Sequence, residues 1–425
     1  MAIDWAVLDA YISILKKELL LAEGCTEPAA IAYAAALARK ALGSEPERLE
    51  VQCSRGVVKN ANSVVVPNLG GMRGIRAAAV AGALGGDADK KMEVIAGFSQ
   101  ALLPRLRQLS EGGFCSVSLL ESDAALHIVV CAYAGDDCAK AELKHKHDQV
   151  VCLEKNGRAL HTNDKIAGDV EGDEPYTLNL ADIFQFAHTV ECSRIAPLLE
   201  RQLRYNIAIC EEGLSRKYGA GIGRMIMSDS NDTDVERRAC AYAAAGSDAR
   251  MSGCPMAVVI NSGSGNQGIT VTAPVWVYAK HLGVPDETLL RALAISNLVS
   301  IYIKSLVGRL SAYCGAVSAA SGSGAGITYL YGGSYEQVAN TVSNALVNIS
   351  GIMCDGAKPS CAAKIASSVQ AAIIGHRMAM AKNNFHSGDG VTGDTPEETL
   401  QNIGRLASEG LKKMDRLMLD ILLKQ

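Results

Sequence analysis

Apolar residues recur at helical spacing in the first part of the chain, from Trp5 to Leu42. The spacing is interrupted at Glu23–Pro28, which has the sequence Glu-Gly-Cys-Thr-Glu-Pro. Because proline fits the first turn of a helix, Pro28 marks the start of a second helix. The pattern therefore predicts two helices on either side of a short polar loop.

Beyond about Leu49 the pattern changes to short runs rich in β-branched residues, as expected of strands. These runs lie at residues 49–53, 63–66, 116–120, 126–130 and 149–153. Helical spacing returns between the second and third runs, from Gly74 to Leu109. The unit ends near a polar stretch, His161 to Pro175, whose composition suits a hinge.

After Tyr176 the chain is rich in alanine and leucine at helical spacing almost to its end. Glycine and serine interrupt this pattern at residues 261–268, 321–326 and 386–390, which predicts loops. We therefore expect an α+β protein, in which a large, mainly helical catalytic domain carries an inserted smaller α/β domain. The expected divisions are residues 1–45 for N-terminal helices that pack on the catalytic domain, 46–174 for the α/β insert domain, and 175–425 for the helical catalytic domain.

The overall composition narrows the classes of function. A chain of 425 residues exceeds the size of a single hydrophobic core, which favours two packed units. Its 41 basic and 45 acidic residues form no long basic run, so we expect no nucleic-acid partner. The first residues lack the basic start of a signal peptide. The most apolar later stretch contains Arg291, Lys304 and Arg309, which are costly in a bilayer, so we expect no membrane span and a cytoplasmic protein.

Thirteen cysteines are present, and in the cytoplasm they should stay reduced. Most, such as Cys131 and Cys240, have apolar neighbours typical of packed thiols. Three others, Cys314, Cys354 and Cys361, lie in or beside glycine-containing segments. Three thiolates can hold three irons of a four-iron cluster and leave the fourth iron open to a substrate. Their spacing alone also leaves open three packed thiols, or a zinc site completed by a histidine.

The glycine-rich segment Asn261–Gly268 follows an apolar run and formally contains G-x-G-x-x-G. The β-rich residues after it and Pro274 argue against the long helix that a dinucleotide site needs. A nest for a smaller anion such as a carboxylate fits better, with donors from the backbone and from Asn266. Ser262, Gly263 and Asn266 are therefore candidate substrate-binding residues, although a close helix crossing that only glycine permits remains the alternative.

Six segments together resemble the alpha-chain family of iron–sulfur L-serine dehydratases, and within it the single-chain L-cysteine desulfidases. They are Glu23–Pro28, Lys59–Asn68, Asn261–Gly268, Cys314 with the glycine segment after it, Cys354–Cys361 and Asp389–Val391. The likeness spans nearly the whole chain. It implies a [4Fe-4S] cluster on Cys314, Cys354 and Cys361, and it places Cys25 near the substrate as a candidate base. Some dehydratases of the family guard the open iron with a C-terminal cysteine, whereas no cysteine follows Cys361 here, which favours direct substrate access.

The resemblance implies β-elimination on a small L-amino acid, with conversion of L-cysteine to pyruvate, ammonia and sulfide expected first. Dehydration of L-serine on the same cluster is the alternative. For this chemistry Cys25 would act as a thiolate if the helix begun by Pro28 lowers its pKa, and otherwise it is a capping-loop thiol. We also expect Asn60, in a polar loop between β-rich runs, to lie at the cleft and bind substrate, and the sulfurs of the three cysteines to converge on a common centre.

Two rival classes use other chemistry. A pyridoxal-phosphate enzyme needs a Schiff-base lysine, but Lys304 and Lys364 lie in helix-like segments without a cofactor motif. A cluster-based or thiol-based redox sensor needs an output surface, and neither a basic helix nor a tail supplies one. The expected partner is therefore a small amino-acid substrate, and a homodimer is one candidate assembly.

Overall fold

The structure is a computed structural model that describes residues 5–163, 176–228, 234–308 and 311–423. Within these ranges it is an α+β protein, as predicted. The helices are α1 (Trp5–Glu18), α2 (Thr26–Leu42), α3 (Arg55–Ala61), α4 (Gly74–Gly85), α5 (Leu103–Glu111), α6 (Leu180–Thr189), α7 (Cys192–Ser215), α8 (Ile222–Ser228), α9 (Val235–Met251), α10 (Gly265–Leu282), α11 (Asp286–Val307), α12 (Gly315–Leu330), α13 (Tyr335–Asn348), α14 (Cys361–Met380), α15 (Pro396–Arg405) and α16 (Lys412–Leu423). The strands are β1 (Leu21–Glu23), β2 (Arg48–Cys53), β3 (Cys115–Leu119), β4 (His127–Ala134), β5 (Asp137–Lys144), β6 (Val150–Lys155), β7 (Arg158–Thr162) and β8 (Ala257–Val259).

Six of these strands form one mixed sheet in the order β3-β2-β4-β5-β6-β7. Strands β2 and β3 are parallel, and the other neighbours are antiparallel. Four of the five predicted strands are confirmed. The run at 63–66 forms only an isolated bridge, between Val65 and Arg73. Strand β5 escaped prediction because its buried positions include Ala139 and Ala141, and alanine is a weak strand former.

Helix α2 packs on this sheet, where we expected it to pack on the helical catalytic domain. It lies against α4 and against strands β4 and β5, and its side chains from Ala30 to Leu42 belong to the sheet's hydrophobic core. The physical reason is that α2 is alanine-rich and buried nearly all round, so it fits between the sheet and α4. Helix α1, in contrast, packs with the helical core. The division of the chain at residues 45 and 174 stays a prediction, and residues 164–175 of the expected hinge lie outside the described ranges.

The second core is formed by helices α6 to α15 and is joined by α1. Residues 321–326, predicted as a loop, lie inside helix α12, because their small side chains let α12 approach α11 closely. A Cβ at Gly322 would lie 2.3 Å from the Ser296 carbonyl oxygen. The predicted loop at 261–268 ends at Ser264, and α10 then continues through Pro274, contrary to our expectation of a broken helix. Tertiary burial of α10 outweighs its low intrinsic helix propensity.

Among the helices of the described ranges, Asp286–Val307 alone is long and apolar enough to cross a membrane, and 83% of its apolar window is buried inside the molecule.

Candidate active site

A small two-stranded sheet brings the N-terminal loop to the glycine-rich loop. Strand β1 pairs antiparallel with β8, with Leu21 opposite Val259. Cys25 follows β1 by two residues, and the turn Asn261–Ser264 follows β8. The hydroxyl of Thr26 donates to the Gly263 carbonyl oxygen at 3.1 Å, which fixes the two loops against each other.

The cysteine loop between α13 and α14 touches the end of helix α3. Gly356 has a φ of 92°, which favours glycine, and a Cβ there would lie 2.2 Å from the Lys59 carbonyl oxygen. The ammonium of Lys358 donates to the Ser63 hydroxyl at 2.7 Å. These contacts place the Lys59–Asn62 segment beside the cysteines.

A short backbone bridge aligns two of the three candidate cluster cysteines. Tyr313 pairs antiparallel with Met353, and the Cys354 N–H donates to the Ala312 carbonyl at 2.7 Å. Cys314 occupies the N-cap position of α12, and Cys361 is the first residue of α14. Two helix N-termini therefore present these thiols on one side of the helical core.

All eight predicted site residues line one cavity of about 490 Å³. They are Cys25, Asn60, Ser262, Gly263, Asn266, Cys314, Cys354 and Cys361. The cavity lies where the sheet core and the helical core meet, because its wall takes side chains from both. Its size and polar lining suit a small polar molecule. The individual roles of the eight residues stay predictions.

Cys25 and Glu27 form a buried hydrogen-bonded pair in this wall. The Cys25 thiol donates to Glu27 Oε2 at 3.1 Å, and the Asn60 amide donates to Glu27 Oε1 at 2.8 Å. His147 Nε2 lies 3.7 Å from the same Oε1, which is an ion-pair distance but too long for a hydrogen bond. Because Glu27 can only accept, Asn60 must turn its Nδ2 toward the carboxylate and its Oδ1 away from it.

The electrostatics of Cys25 differ from our expectation. Burial and then the charge of Glu27 raise the pKa of the Cys25 thiol well above its ordinary value, and the opposing charge of Arg250 is smaller. The thiol lies at the N-terminus of α2 but makes no capping hydrogen bond. The helix dipole is therefore outweighed, and Cys25 is a protonated thiol bound to a carboxylate at neutral pH.

Glu27 is correspondingly held as a carboxylate. Burial alone would raise its pKa, but the neighbouring His147 and the hydrogen bonds from Cys25 and Asn60 lower the pKa below the usual range. The pair thus has one proton, which the structure places on sulfur, and an acceptor poised beside it.

The three remaining cysteines have surroundings that suit bound iron. Backbone N–H groups lie beside the three sulfurs, a feature that stabilises thiolates and tunes iron–sulfur clusters. The Lys358 N–H donates to the Cys361 sulfur at 3.5 Å, and the N–H groups of Ala316 and Gly356 act to lower the pKa of Cys314 and Cys354, respectively. Lysine charges lie near as well, Lys59 and Lys304 by Cys354 and Lys364 by Cys361. Such a shell favours an anionic cluster, so the residues present fit the group.

The convergence of the three sulfurs on a common centre stays a prediction. Among the described residues, no set of three His, Cys, Asp or Glu side chains is arranged to hold a metal ion. The Cys314 and Cys354 thiols are close enough to interact, and this interaction lowers the pKa of Cys354 and raises that of Cys314. The three thiols therefore share a cavity wall, and their role as ligands stays a prediction.

Six buried polar atoms in the cavity wall have no hydrogen-bond partner within the described ranges. They are Asn60 Oδ1, His145 Nε2, His147 Nε2, Arg250 Nε, Gln267 Oε1 and Tyr313 Oη. Buried polar groups are normally satisfied by protein or water, so these six atoms are available to water or to a polar ligand in the cavity.

Sequence reasoning missed several residues of this wall. Glu27 belongs to the first motif, but only its neighbour Cys25 was given a role. His147 stands in a polar Lys-His-Lys-His-Asp stretch, which carried a signal that went unused. Gln267 lies in the glycine-rich segment but was given no role. Arg250 gave no signal, because a single polar residue on a helix is ordinarily a surface residue.

Similarity to known proteins extends over nearly the whole chain. Residues 76–420 match the family model described as serine dehydratase alpha chain. A protein of Lachnoclostridium phytofermentans, called a UPF0597 protein, is 48% identical, over 97% of this chain and 99% of its own length. UPF0597 proteins of Desulfitobacterium hafniense and Treponema denticola are 44% and 42% identical, over 98% and 100% of this chain and 96% and 100% of their own lengths. This chain belongs to the serine dehydratase alpha-chain family.

Proposed function

We propose that this protein is an iron–sulfur-dependent lyase that carries out β-elimination on a small L-amino acid, with L-cysteine as substrate and pyruvate, ammonia and sulfide as products. Membership of the serine dehydratase alpha-chain family indicates a serine dehydratase-like lyase. The observation that carries the finer proposal is the common cavity: Cys25 and the three candidate ligands, 289 to 336 residues apart in sequence, line the same wall.

The reaction needs a base and an acceptor for the leaving group. The Cα proton goes to the base, the Cα–H electron pair forms the Cα=Cβ bond, and the β-substituent departs as hydrosulfide with the electron pair of its bond to Cβ. The resulting 2-aminoacrylate takes up one water to give pyruvate and ammonia. A [4Fe-4S] cluster on Cys314, Cys354 and Cys361 would supply an open iron that stabilises the departing anion.

The chain's own residues supply proton transfer. Because the Cys25 thiol is protonated, it must pass its proton to Glu27 before it can take one from Cα. Glu27 is within hydrogen-bond distance, and Asn60 holds that carboxylate in place. Both Cys25 and Glu27 are buried in the cavity wall.

L-serine is the second candidate substrate, and it is favoured by the name of the matching family. The two reactions differ only in whether hydrosulfide or hydroxide leaves. We also propose a cytoplasmic location, no nucleic-acid or membrane partner, and a homodimer as the assembly. The net charge of -4 without a basic run supports the absence of a nucleic-acid partner.

The test is anaerobic purification with cluster reconstitution, followed by measurement of iron, acid-labile sulfide and turnover. We expect sulfide and pyruvate in equal amounts from L-cysteine; pyruvate from L-serine alone would identify the alternative. Cluster-replete protein that turns over neither amino acid would overturn the elimination and favour a redox sensor.

Two variants separate the assigned roles. Cys25→Ser should keep its iron and lose about a hundredfold to ten-thousandfold in rate, since a hydroxyl is hardly ever ionised at neutral pH. Cys314→Ser should lose iron, colour and activity together. Normal turnover by Cys25→Ser, or loss of its iron, would contradict the role of base.

A further inference from the structure

A buried arginine in the cavity wall lacks a charged partner. Arg250 lies in the last turn of helix α9 and is only 3% exposed. Its Nη1 donates to the amide oxygen of Asn266 at 3.1 Å, while Nε has no acceptor, and no carboxylate of the described ranges forms an ion pair with it. A guanidinium stays charged at every relevant pH, so burying it without a counter-charge is unfavourable. Arg250 is therefore poised for an anion from outside the chain.

The N-terminus of helix α10 adds a second positive feature at the same place. The helix has 18 residues and begins at Gly265, directly after the Asn261–Ser264 turn. A Cβ at Gly265 would lie 2.4 Å from Arg250 Nε, so the helix end and the guanidinium are in contact. Unpaired N–H groups and the dipole of a helix N-terminus favour negative charge. The two features together define one subsite for an anion.

The subsite lies close to both the candidate base and the candidate cluster ligands. Arg250 is close enough to Cys25 for its charge to lower the pKa of that thiol, against the larger effect of burial. On the other side, Gln267 packs on Gly315, where a Cβ would lie 2.7 Å from the Gln267 side chain, and Gly315 adjoins Cys314. An anion bound by Arg250 would thus lie near the Cys25 thiol and near Cys314.

We propose that Arg250, with Asn266 and the N-terminus of α10, binds the α-carboxylate of the substrate. This assignment rests on the proposed elimination. An α-amino acid anchored here can turn Cα toward Cys25 and its β-substituent toward the three cysteines. The unpartnered Asn60 Oδ1 and Gln267 Oε1 are acceptors suited to the substrate ammonium. The ligand class is a short amino acid with a free α-carboxylate, and amides, esters and decarboxylated analogues are excluded.

A binding experiment on cluster-free protein tests the subsite without turnover. The probes are L-alanine, which has no β-leaving group, and L-alaninamide, which has no carboxylate, each titrated by calorimetry. Wild-type protein should prefer L-alanine. Arg250→Gln should weaken L-alanine binding on the order of a hundredfold and leave L-alaninamide unchanged, because the loss of one partner of a buried charge pair is costly. Arg250→Lys should fall between, since it keeps the charge but loses the planar fork.

The control is Arg224→Gln, which removes an exposed arginine of α8 outside the cavity wall. It should bind L-alanine like the wild type. Circular dichroism checks that the variants are folded; if Arg250→Gln does not fold, Arg250→Lys and the wild-type preference between the two probes decide. Equal affinity of wild type for both probes, or unchanged L-alanine affinity in a folded Arg250→Gln, overturns the subsite.

Turnover distinguishes failure of this subsite from failure of the proposed function. In cluster-replete Arg250→Gln, KM should rise at unchanged iron content, and wild type should not process L-cysteinamide. If wild-type protein turns over no amino acid but L-alanine binding depends on Arg250, the elimination fails and the carboxylate subsite stands. If the wild type turns over L-cysteine and Arg250→Gln has the same KM, the subsite fails and the elimination stands.

Discussion

At the scale of single residues, the cavity depends on one buried carboxylate. Glu27 accepts hydrogen bonds from Cys25 and Asn60, and it lies within ion-pair distance of His147. This environment keeps Glu27 ionised and Cys25 protonated. The residue that carries the proton and the residue that can receive it are thus only two positions apart in sequence.

Glu27→Gln should change both the rate and its pH dependence. The amide cannot take the thiol proton, so kcat/KM should fall about a hundredfold or more. Removal of the carboxylate charge also lowers the pKa of Cys25, since that charge raises it. The limb of the profile that rises as Cys25 loses its proton should therefore move to lower pH. An unchanged pH–rate profile of the cluster-replete variant would rule out coupling between the two residues.

Asn60→Ala is the matched control in the same hydrogen-bond set. Asn60 donates to Glu27 but cannot accept the thiol proton. We expect a higher KM, unchanged iron content and a pH profile close to that of the wild type. A wild-type KM would argue against a place for Asn60 in substrate binding.

At the scale of elements, some helices of the core pack so closely that only glycine fits where they cross. Helices α2 and α4 cross at Gly82, where a Cβ would lie 2.1 Å from the Ala32 carbonyl oxygen. The obstacle is backbone, which cannot rotate away as a long side chain would. This crossing positions α2, and with it the Cys25–Glu27 pair at its N-terminus.

Gly82→Ala should therefore destabilise the protein although alanine is the better helix former. The intrinsic gain is about 1 kcal/mol, whereas overpacking typically costs about 1–3 kcal/mol and more where backbone must move. Chemical denaturation of cluster-free protein measures the difference. Gly113→Ala is the control, because no atom lies within 4 Å of its Cβ position, and its stability should change by less than about 0.5 kcal/mol. A Gly82→Ala variant as stable as the wild type would show that the crossing can relax.

At the scale of the whole molecule, two buried titratable groups of the helical core have opposite effects on how the stability of the protein depends on pH. Burial lowers the pKa of His376 to about 4, and burial raises the pKa of Asp248 to about 6. Between about pH 4 and 6.5 His376 is protonated in the unfolded chain but not in the folded protein. The contribution of His376 to stability therefore falls as pH falls. For Asp248 the folded protein holds the proton that the unfolded chain releases, so its contribution falls as pH rises from about 4 to 6.

We expect these two effects, each about 3 kcal/mol at most, to nearly cancel in the wild type. Replacement of either group should reveal the other. In His376→Gln the free energy of unfolding should decrease as pH rises from 4 to 6, and in Asp248→Asn it should increase over the same range. Urea denaturation of cluster-free protein at several pH values measures the slopes; equal slopes in both variants would contradict the assignment.

Much of the secondary structure followed from local pattern. Helix α1, the start of α2 near Pro28 and four strands of the sheet were predicted, because their apolar spacing agrees with the face that they bury. The pattern failed where tertiary packing outweighs propensity. Residues 321–326 and the segment around Pro274 are helical because small side chains let neighbouring helices approach closely.

For the site, the sequence by itself determined the chemistry-bearing residues of the motifs, because a rare residue type among glycines is visible without a fold. Cys25 and the three later cysteines were found in this way, Asn60 was found from its polar loop, and all of them line one cavity. Only the tertiary structure decided that Glu27 accepts a hydrogen bond from Cys25 and that Arg250, whose Nε has no acceptor, lies beside α10. Burial and through-space distance set pKa values and pairing, and neither quantity is encoded in the spacing of residues along the chain.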